Sequence, residues 1–145
     1  MIGLLQRVSR ADVVVDEKTI GKINQGLLVL IGIEKEDDEG KARRLIDRLL
    51  SYRVFTDENN KMNLSLSNTG GGLMLVPQFT LAADTKKGNR PGFSRGATPQ
   101  LAEQLFLFCV DYARSVHHTV ETGKFGADMQ VTLTNDGPVT FTLNT

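Results

Sequence analysis

A chain of 145 residues has the length of one domain built around one hydrophobic core. Hydrophobic residues make up 40% and charged residues 23%, which excludes a disordered or collagen-like polymer. The 17 Lys and Arg are matched by 17 Asp and Glu, so no global field draws in polyanions and any nucleic-acid contact must rest on a local basic patch.

The single cysteine, Cys109, can close no intramolecular disulfide, and no CxxC or other metal-ligand spacing is present. Arg7 comes too early for a secretory apolar region, and no stretch reaches the ~18 apolar residues of a membrane span. A cytoplasmic protein with no membrane, metal or cofactor requirement is the expectation.

The chain opens as strands: Met1 to Val8, Ala11 to Val15 and Thr19 to Ile23 are short, aliphatic and separated by polar or glycine-containing turns. Leu27-Leu28-Val29-Leu30-Ile31-Gly32-Ile33 is almost wholly apolar, as in a strand covered on both faces. After the acidic stretch Glu34 to Glu39, Leu45, Ile46, Leu49 and Leu50 recur at helical spacing, with the acids at the helix end that the macrodipole favours. Asp57 to Asn60 reads as a turn, Gly70-Gly71-Gly72 as a flexible break, and Leu73 to Val76 as a strand. Ala82 to Gly96 shows neither period and reads as a long loop, of the kind that is usually functional or disordered. Thr98-Pro99 starts a second helix, with Leu101, Leu105, Phe108, Cys109, Tyr112 and Val116 on its apolar face. Gln130 to Thr134 and Val139 to Leu143 alternate like the arms of a hairpin around Asn135-Asp136-Gly137-Pro138. The sum is an α+β domain over residues 1–145, with mostly antiparallel strands in barrel-like sheets and two main helices.

Conventional side-chain chemistry is scarce. His117 and His118 are adjacent, point in different directions and read as a solvated helix end; Cys109 reads as a core thiol. No Walker loop or dinucleotide fingerprint occurs. Three segments remain. Pro77-Gln78-Phe79-Thr80-Leu81 ends a strand where backbone N–H groups meet the loop, though on pattern alone a strand simply running into its loop is the better explanation. Lys86, Lys87, Arg90 and Arg95 lie among glycines on that loop, suited to phosphate contacts or merely solvated. Gly137-Pro138 is ordinary turn chemistry, or else a small rigid tip rich in acceptors.

In order and spacing, these segments together with Gln6-Arg7-Val8, Lys61-Met62-Asn63-Leu64, Arg90-Pro91, Phe93-Ser94 and Ala127-Asp128-Met129-Gln130-Val131 resemble the D-aminoacyl-tRNA deacylase family along the whole chain. The resemblance implies hydrolysis of the ester that joins a D-amino acid, or glycine mischarged on tRNA-Ala, to the 3′-terminal adenosine of tRNA. It implies a homodimer in which Gly137-Pro138 of one subunit, in cis, enters the pocket of the other, held by Arg7. It assigns Gln78, Phe79 and Thr80 to the catalytic strand end, and Phe125 and Met129 to the bound aminoacyl-adenosine. Lys86, Lys87, Arg90 and Arg95 become contacts to tRNA phosphates. One position departs from the family pattern: Pro77 stands where the motif has serine, which removes a hydroxyl and a backbone donor. With no base evident, backbone N–H groups at Phe79 and Thr80 are the expected source of catalysis, and the Thr80 hydroxyl the alternative. Two rival classes stay open: a non-catalytic nucleic-acid module built on the basic loop, and an esterase for free amino-acid esters.

Overall fold

Branched apolar residues carry β1 (Ile2–Val15) through the molecule as one strand, where Ser9-Arg10 suggests a break between two. The computed structural model describes all residues, 1–145. On one edge β1 pairs antiparallel with β3 (Gly26–Gly32) along its first half and with β2 (Lys18–Ile23) along its second. β3 continues into β6 (Gly72–Pro77), and β6 into β7 (Val120–Thr122). Both of these pairings are parallel. They depart from the antiparallel pattern because the helices α1 (Glu39–Ser51) and α3 (Pro99–Val116) lie in the crossovers that parallel strands require. β2 then returns to β7: a Cβ added at Gly21 would stand 3.1 Å from the Thr122 carbonyl oxygen, so the sheet nearly closes as a barrel. A short pair, β4 (Phe55–Thr56) with β5 (Met62–Leu64), and the single turn α2 (Leu66–Thr69) complete the connection between α1 and β6.

The wholly apolar run in β3 serves two cores at once. Leu27, Val29 and Ile31 face the helices, and Leu28 faces Val8, Ala11, Val13, Met74 and Val76 inside the barrel. α1 contributes Ala42, Leu45, Ile46, Leu49 and Leu50 to the helical core, as its spacing predicts, and Asp38 caps its start by accepting from the Lys41 N–H at 2.8 Å. The acidic stretch does more than serve the dipole. Asp37 is buried and holds the Met1 amino group at 2.6 Å.

Three further sequence expectations are corrected. α3 starts at Thr98-Pro99 as read, but it buries Ala102, Leu105, Phe106, Cys109, Val110 and Ala113, and Val116 is exposed. Phe108 and Tyr112 flank that face and are covered by the Arg43 guanidinium, 5.6 and 4.8 Å from their ring centroids. His117 is not simply solvated: its Nε2 lies 2.7 Å from the Gly71 carbonyl oxygen. The C-terminal segment is not a hairpin. Gln130–Asn144 forms one strand, β8, which pairs with β1 from Val14↔Gln130 to Ile2↔Asn144. Alternation at period two is the same in two hairpin arms and in one long strand interrupted by a bulge, so the pattern alone misreads it.

Gly26 and Gly72 face one another across β3 and β6 so closely that a Cβ on Gly26 would lie 1.9 Å from the Gly72 carbonyl oxygen. No rotamer relieves a clash with backbone. Gly26→Ala is expected to cost about 3 kcal/mol or more, lowering Tm by roughly 10 °C. Thermal denaturation checks this, and an unchanged Tm would show that the two strands have room to separate.

Candidate active site

β6 ends at Pro77, where the chain turns across the sheet. The Gln78 N–H donates to the Ile31 carbonyl at 2.8 Å, and a 3₁₀ turn follows over Phe79–Ala82. The first N–H groups of such a turn, here those of Phe79 and Thr80, have no acceptor within it. Both residues are exposed, and the Gln78 side-chain amide donates to the Thr80 hydroxyl oxygen. The strand end thus presents two backbone donors and a hydroxyl already engaged as an acceptor.

Pro77 also shapes what lies opposite. In the parallel ladder the Leu73 N–H donates to the Thr119 carbonyl and the Gly123 N–H to the Leu75 carbonyl, each at 2.9 Å. The next rung would run from residue 77 to the Gly123 carbonyl, and proline has no N–H to make it. The Thr122 hydroxyl takes that acceptor instead, at 2.7 Å. Beyond Gly123 the ladder ends, and residues 124–129 run on without pairing to β6. Phe125 rests on buried Phe106 with centroids 6.4 Å apart, and the Met129 sulfur accepts from the Lys124 N–H at 3.3 Å.

Between these walls lies a cavity of about 520 Å³. Val76, Pro77, Gln78 and Phe79 line one side, Phe125 and Met129 the other, and Pro99 and Ala102 of α3 close it. None of its lining residues carries a titratable side chain. Gln78, Phe79, Phe125 and Met129, which the sequence reading names, therefore come together. Thr80 sits beside them on the turn. Pro99, Ala102 and Val131 are additions that no spacing reveals, because two distant elements, α3 and β8, supply them.

Gly137 and Pro138 do not line this cavity in their own chain. They occupy an exposed bulge of β8 whose peptide bond is cis. Arg7 reaches that bulge from β1: its Nε donates to the Asp136 carbonyl at 2.8 Å and an Nη to the Val54 carbonyl at 2.6 Å. Asn135 ties the far side, its Oδ1 accepting from the Val139 N–H at 2.6 Å and its Nδ2 donating to the Thr140 hydroxyl at 2.9 Å. Sequence reading names Asn135 as part of the motif and misses its bridging role.

The basic loop divides. Lys86, Lys87 and Arg90 gather with Asp84, Gly92 and Ser94 around one surface hollow, held by paired bonds between Asp84 and Gly92. Arg95 stands apart from them in an ion pair with Glu34 at 2.6 Å. Cys109 is buried in the helical core, where desolvation, reinforced by Asp37, pushes its thiol up to about 12.

Against known proteins, the model of the D-Tyr-tRNA(Tyr) deacylase family matches residues 4–144. The chain belongs to that family. D-aminoacyl-tRNA deacylases from Pseudoalteromonas atlantica and Proteus mirabilis are 59% and 55% identical to it, each over 99% of both chains. Among solved structures, the c-Myc DNA unwinding element binding protein superposes with a TM-score of 0.95 at 36% identity, covering 100% of this chain and 99% of its own. A probable eukaryotic D-amino acid tRNA deacylase superposes at 0.85 with 17% identity over 99% and 98%, a likeness of fold. Deacylases are hydrolases of an acyl ester, and the site of this family member offers backbone donors beside an apolar cavity rather than a nucleophile with its base.

Two outcomes follow from this geometry. Thr122→Val leaves the buried Gly123 carbonyl unpaired and is expected to cost about 1–3 kcal/mol. In a Pro77→Ala background the new backbone N–H serves that carbonyl, and the same change costs little. Denaturant unfolding of the double-mutant cycle measures the coupling, and strict additivity would refute the exchange of donors. Because the Cys109 thiol stays protonated below a pKa of about 12, iodoacetamide at pH 8 is expected to leave the native protein unlabelled. Mass spectrometry reads that directly; rapid alkylation would contradict the burial.

Proposed function

We propose that this chain hydrolyses the ester of D-aminoacyl-tRNA, and of glycyl-tRNA mischarged on tRNA-Ala, releasing the amino acid and tRNA as a chiral proofreading step in the cytoplasm. What carries the reading is a cavity without a single titratable side chain, opening beside the N–H groups of Phe79 and Thr80 in a member of a deacylase family. An aminoacyl ester is already activated, and each backbone donor aimed at the developing oxyanion contributes about 3 kcal/mol. Water attacks the carbonyl, assisted by the substrate's ribose 2′-hydroxyl; the C–O bond to the ribose breaks, and the leaving oxygen takes the proton. Gln78 fixes the Thr80 hydroxyl, while Phe125 and Met129 enclose the terminal adenosine. Lys86, Lys87 and Arg90 meet tRNA phosphates, and Arg95 does so only by leaving Glu34.

Chirality is read by a second subunit. β8 leaves its other edge unpaired along all 15 residues, a length of open strand that proteins seldom leave uncovered. Its Gly137-Pro138 bulge is exposed and lies outside its own chain's cavity, which suits insertion into the partner's. There the tip occupies the space of an L side chain and excludes it by clash, whichever amino acid is attached. Glycine has no side chain to exclude.

Matched D- and L-aminoacyl-tRNA, assayed beside the methyl esters of the same amino acids, test the reading as a whole. Hydrolysis of the D-aminoacyl-tRNA alone is expected; turnover of the L form, of free esters, or of nothing at all would each overturn it. Thr80→Ala in single turnover should retain activity within about tenfold, since it removes a hydroxyl and keeps the N–H; complete loss would make the hydroxyl the nucleophile. At Gly137, φ is +147° and a Cβ would meet the Val139 nitrogen at 2.9 Å, so Gly137→Ala reshapes the tip. Discrimination against the L ester is expected to fall before the rate on the D ester does.

A further inference from the structure

Phe79 and Phe93 are 64% and 47% exposed and lie against each other, tilted by 45° with ring centroids 5.2 Å apart. Contiguous exposed apolar side chains rimmed by polar residues mark a binding surface, where singly scattered ones do not. Their placement narrows the ligand. Phe79 borders the cavity on one side. On the other side Phe93 is flanked by Gly92 and Ser94, which line the hollow that holds Lys86, Lys87 and Arg90. The one carboxylate there, Asp84, is engaged by the Lys86 backbone N–H at 3.0 Å. A track therefore runs from an apolar cavity, across two aromatic rings, to three cations. Aromatic faces beside a cationic groove are what single-stranded nucleic acid requires, since every base has a face to stack and a phosphate to neutralise.

From this arrangement we propose that Phe79 and Phe93 form a stacking platform for the unpaired nucleotide preceding the terminal adenosine, with its phosphate at Lys86, Lys87 and Arg90. This rests on the aminoacyl-tRNA reading above. The platform makes recognition of the acceptor end independent of the base-paired stem and places the ester by two nucleotides instead of one. The alternative occupant, an aromatic side chain of the D-amino acid, predicts a different dependence on substrate.

Phe93→Leu, which keeps apolar bulk and removes the flat face, is compared with Phe93→Tyr on two esters of the same aliphatic amino acid, D-alanyl-tRNA and D-alanyl-adenosine. The expected result is a KM for D-alanyl-tRNA raised roughly 10-fold by Phe93→Leu and restored by Phe93→Tyr, the loss of one stacked base being of that order. D-alanyl-adenosine has no second nucleotide, and its kcat/KM should change by less than about twofold. Equal losses on both esters, or no loss on the tRNA, would overturn the platform while leaving the deacylase reading intact. If the parent protein cleaves neither ester, the deacylase reading fails and the platform with it. Removing the cations by Lys86→Ala and Lys87→Ala should flatten the salt dependence of KM for the tRNA only; an unchanged slope would also count against the track.

Discussion

The architecture hangs on the pairing of β1 with β8. From Gln6 to Val8 the first strand advances two residues while β8 covers five, from Thr140 to Asn135, so three residues are locally surplus, one of them recovered between Val8 and Arg10, where β1 advances two and β8 one. They cannot slide elsewhere. Leu143 and Val139 are buried on one flank in the helical core, and Val131 and Leu133 pack on the barrel interior on the other, so a slip of one residue would turn each set out to water. The surplus is pinned at Asp136 to Pro138, and Arg7 lies directly opposite, between the paired residues Gln6 and Val8. Its side chain meets the bulge carbonyl because no strand residue faces it there. Hydrophobic register thus sets the position of a polar feature.

A second constraint works at β6. Strand pairing there ends at Gly123, opposite Pro77, which has no N–H to continue it, and Phe125 and Met129 line the cavity beyond. In both places the site arises where a ladder is interrupted: by three residues too many in β8, by one donor too few in β6. Interrupted ladders leave backbone groups without strand partners, and those groups are either bound by side chains, as Asn135, Arg7 and Thr122 do, or left to meet a ligand, as at Phe79 and Thr80.

The sequence is legible to the extent that its periods are unique. β3, with an apolar residue at nearly every position, can only be a strand between two cores, and α1 shows its buried face at helical spacing. Thr98-Pro99 marks the start of α3 because both capping and fixed φ act locally. What fails is what depends on partners. The face of α3 shifts because Arg43, from another helix, covers Phe108 and Tyr112. β7, only Val120–Thr122, carries no periodic signal at all. The bulge of β8 looks like a turn because glycine and proline serve both. Of the site, Gln78 to Thr80 and the basic loop stand out as composition, yet nothing in the spacing shows that Arg95 is committed to Glu34, 61 residues away, while its neighbours are not.

An apolar cavity without polar side-chain recognition also bears on what kind of selectivity the family member can have. A pocket that hydrogen-bonds its substrate's side chain rejects analogues by leaving buried partners unpaired, and so reads identity. Here the lining offers no charged group and, apart from Gln78, little that could pair with a side chain. On the proposed reading, identity is therefore invisible and only configuration is sensed, through occupancy of one direction at the α-carbon. Exclusion of this kind asks for rigidity more than affinity: a tip that yields by an ångström admits the wrong hand. On that reading the requirement accounts for the bonds around a bulge that lies outside its own chain's cavity: Arg7 and Asn135 hold it, themselves tied to Val54 and Thr140, around a glycine whose missing side chain lets it fit.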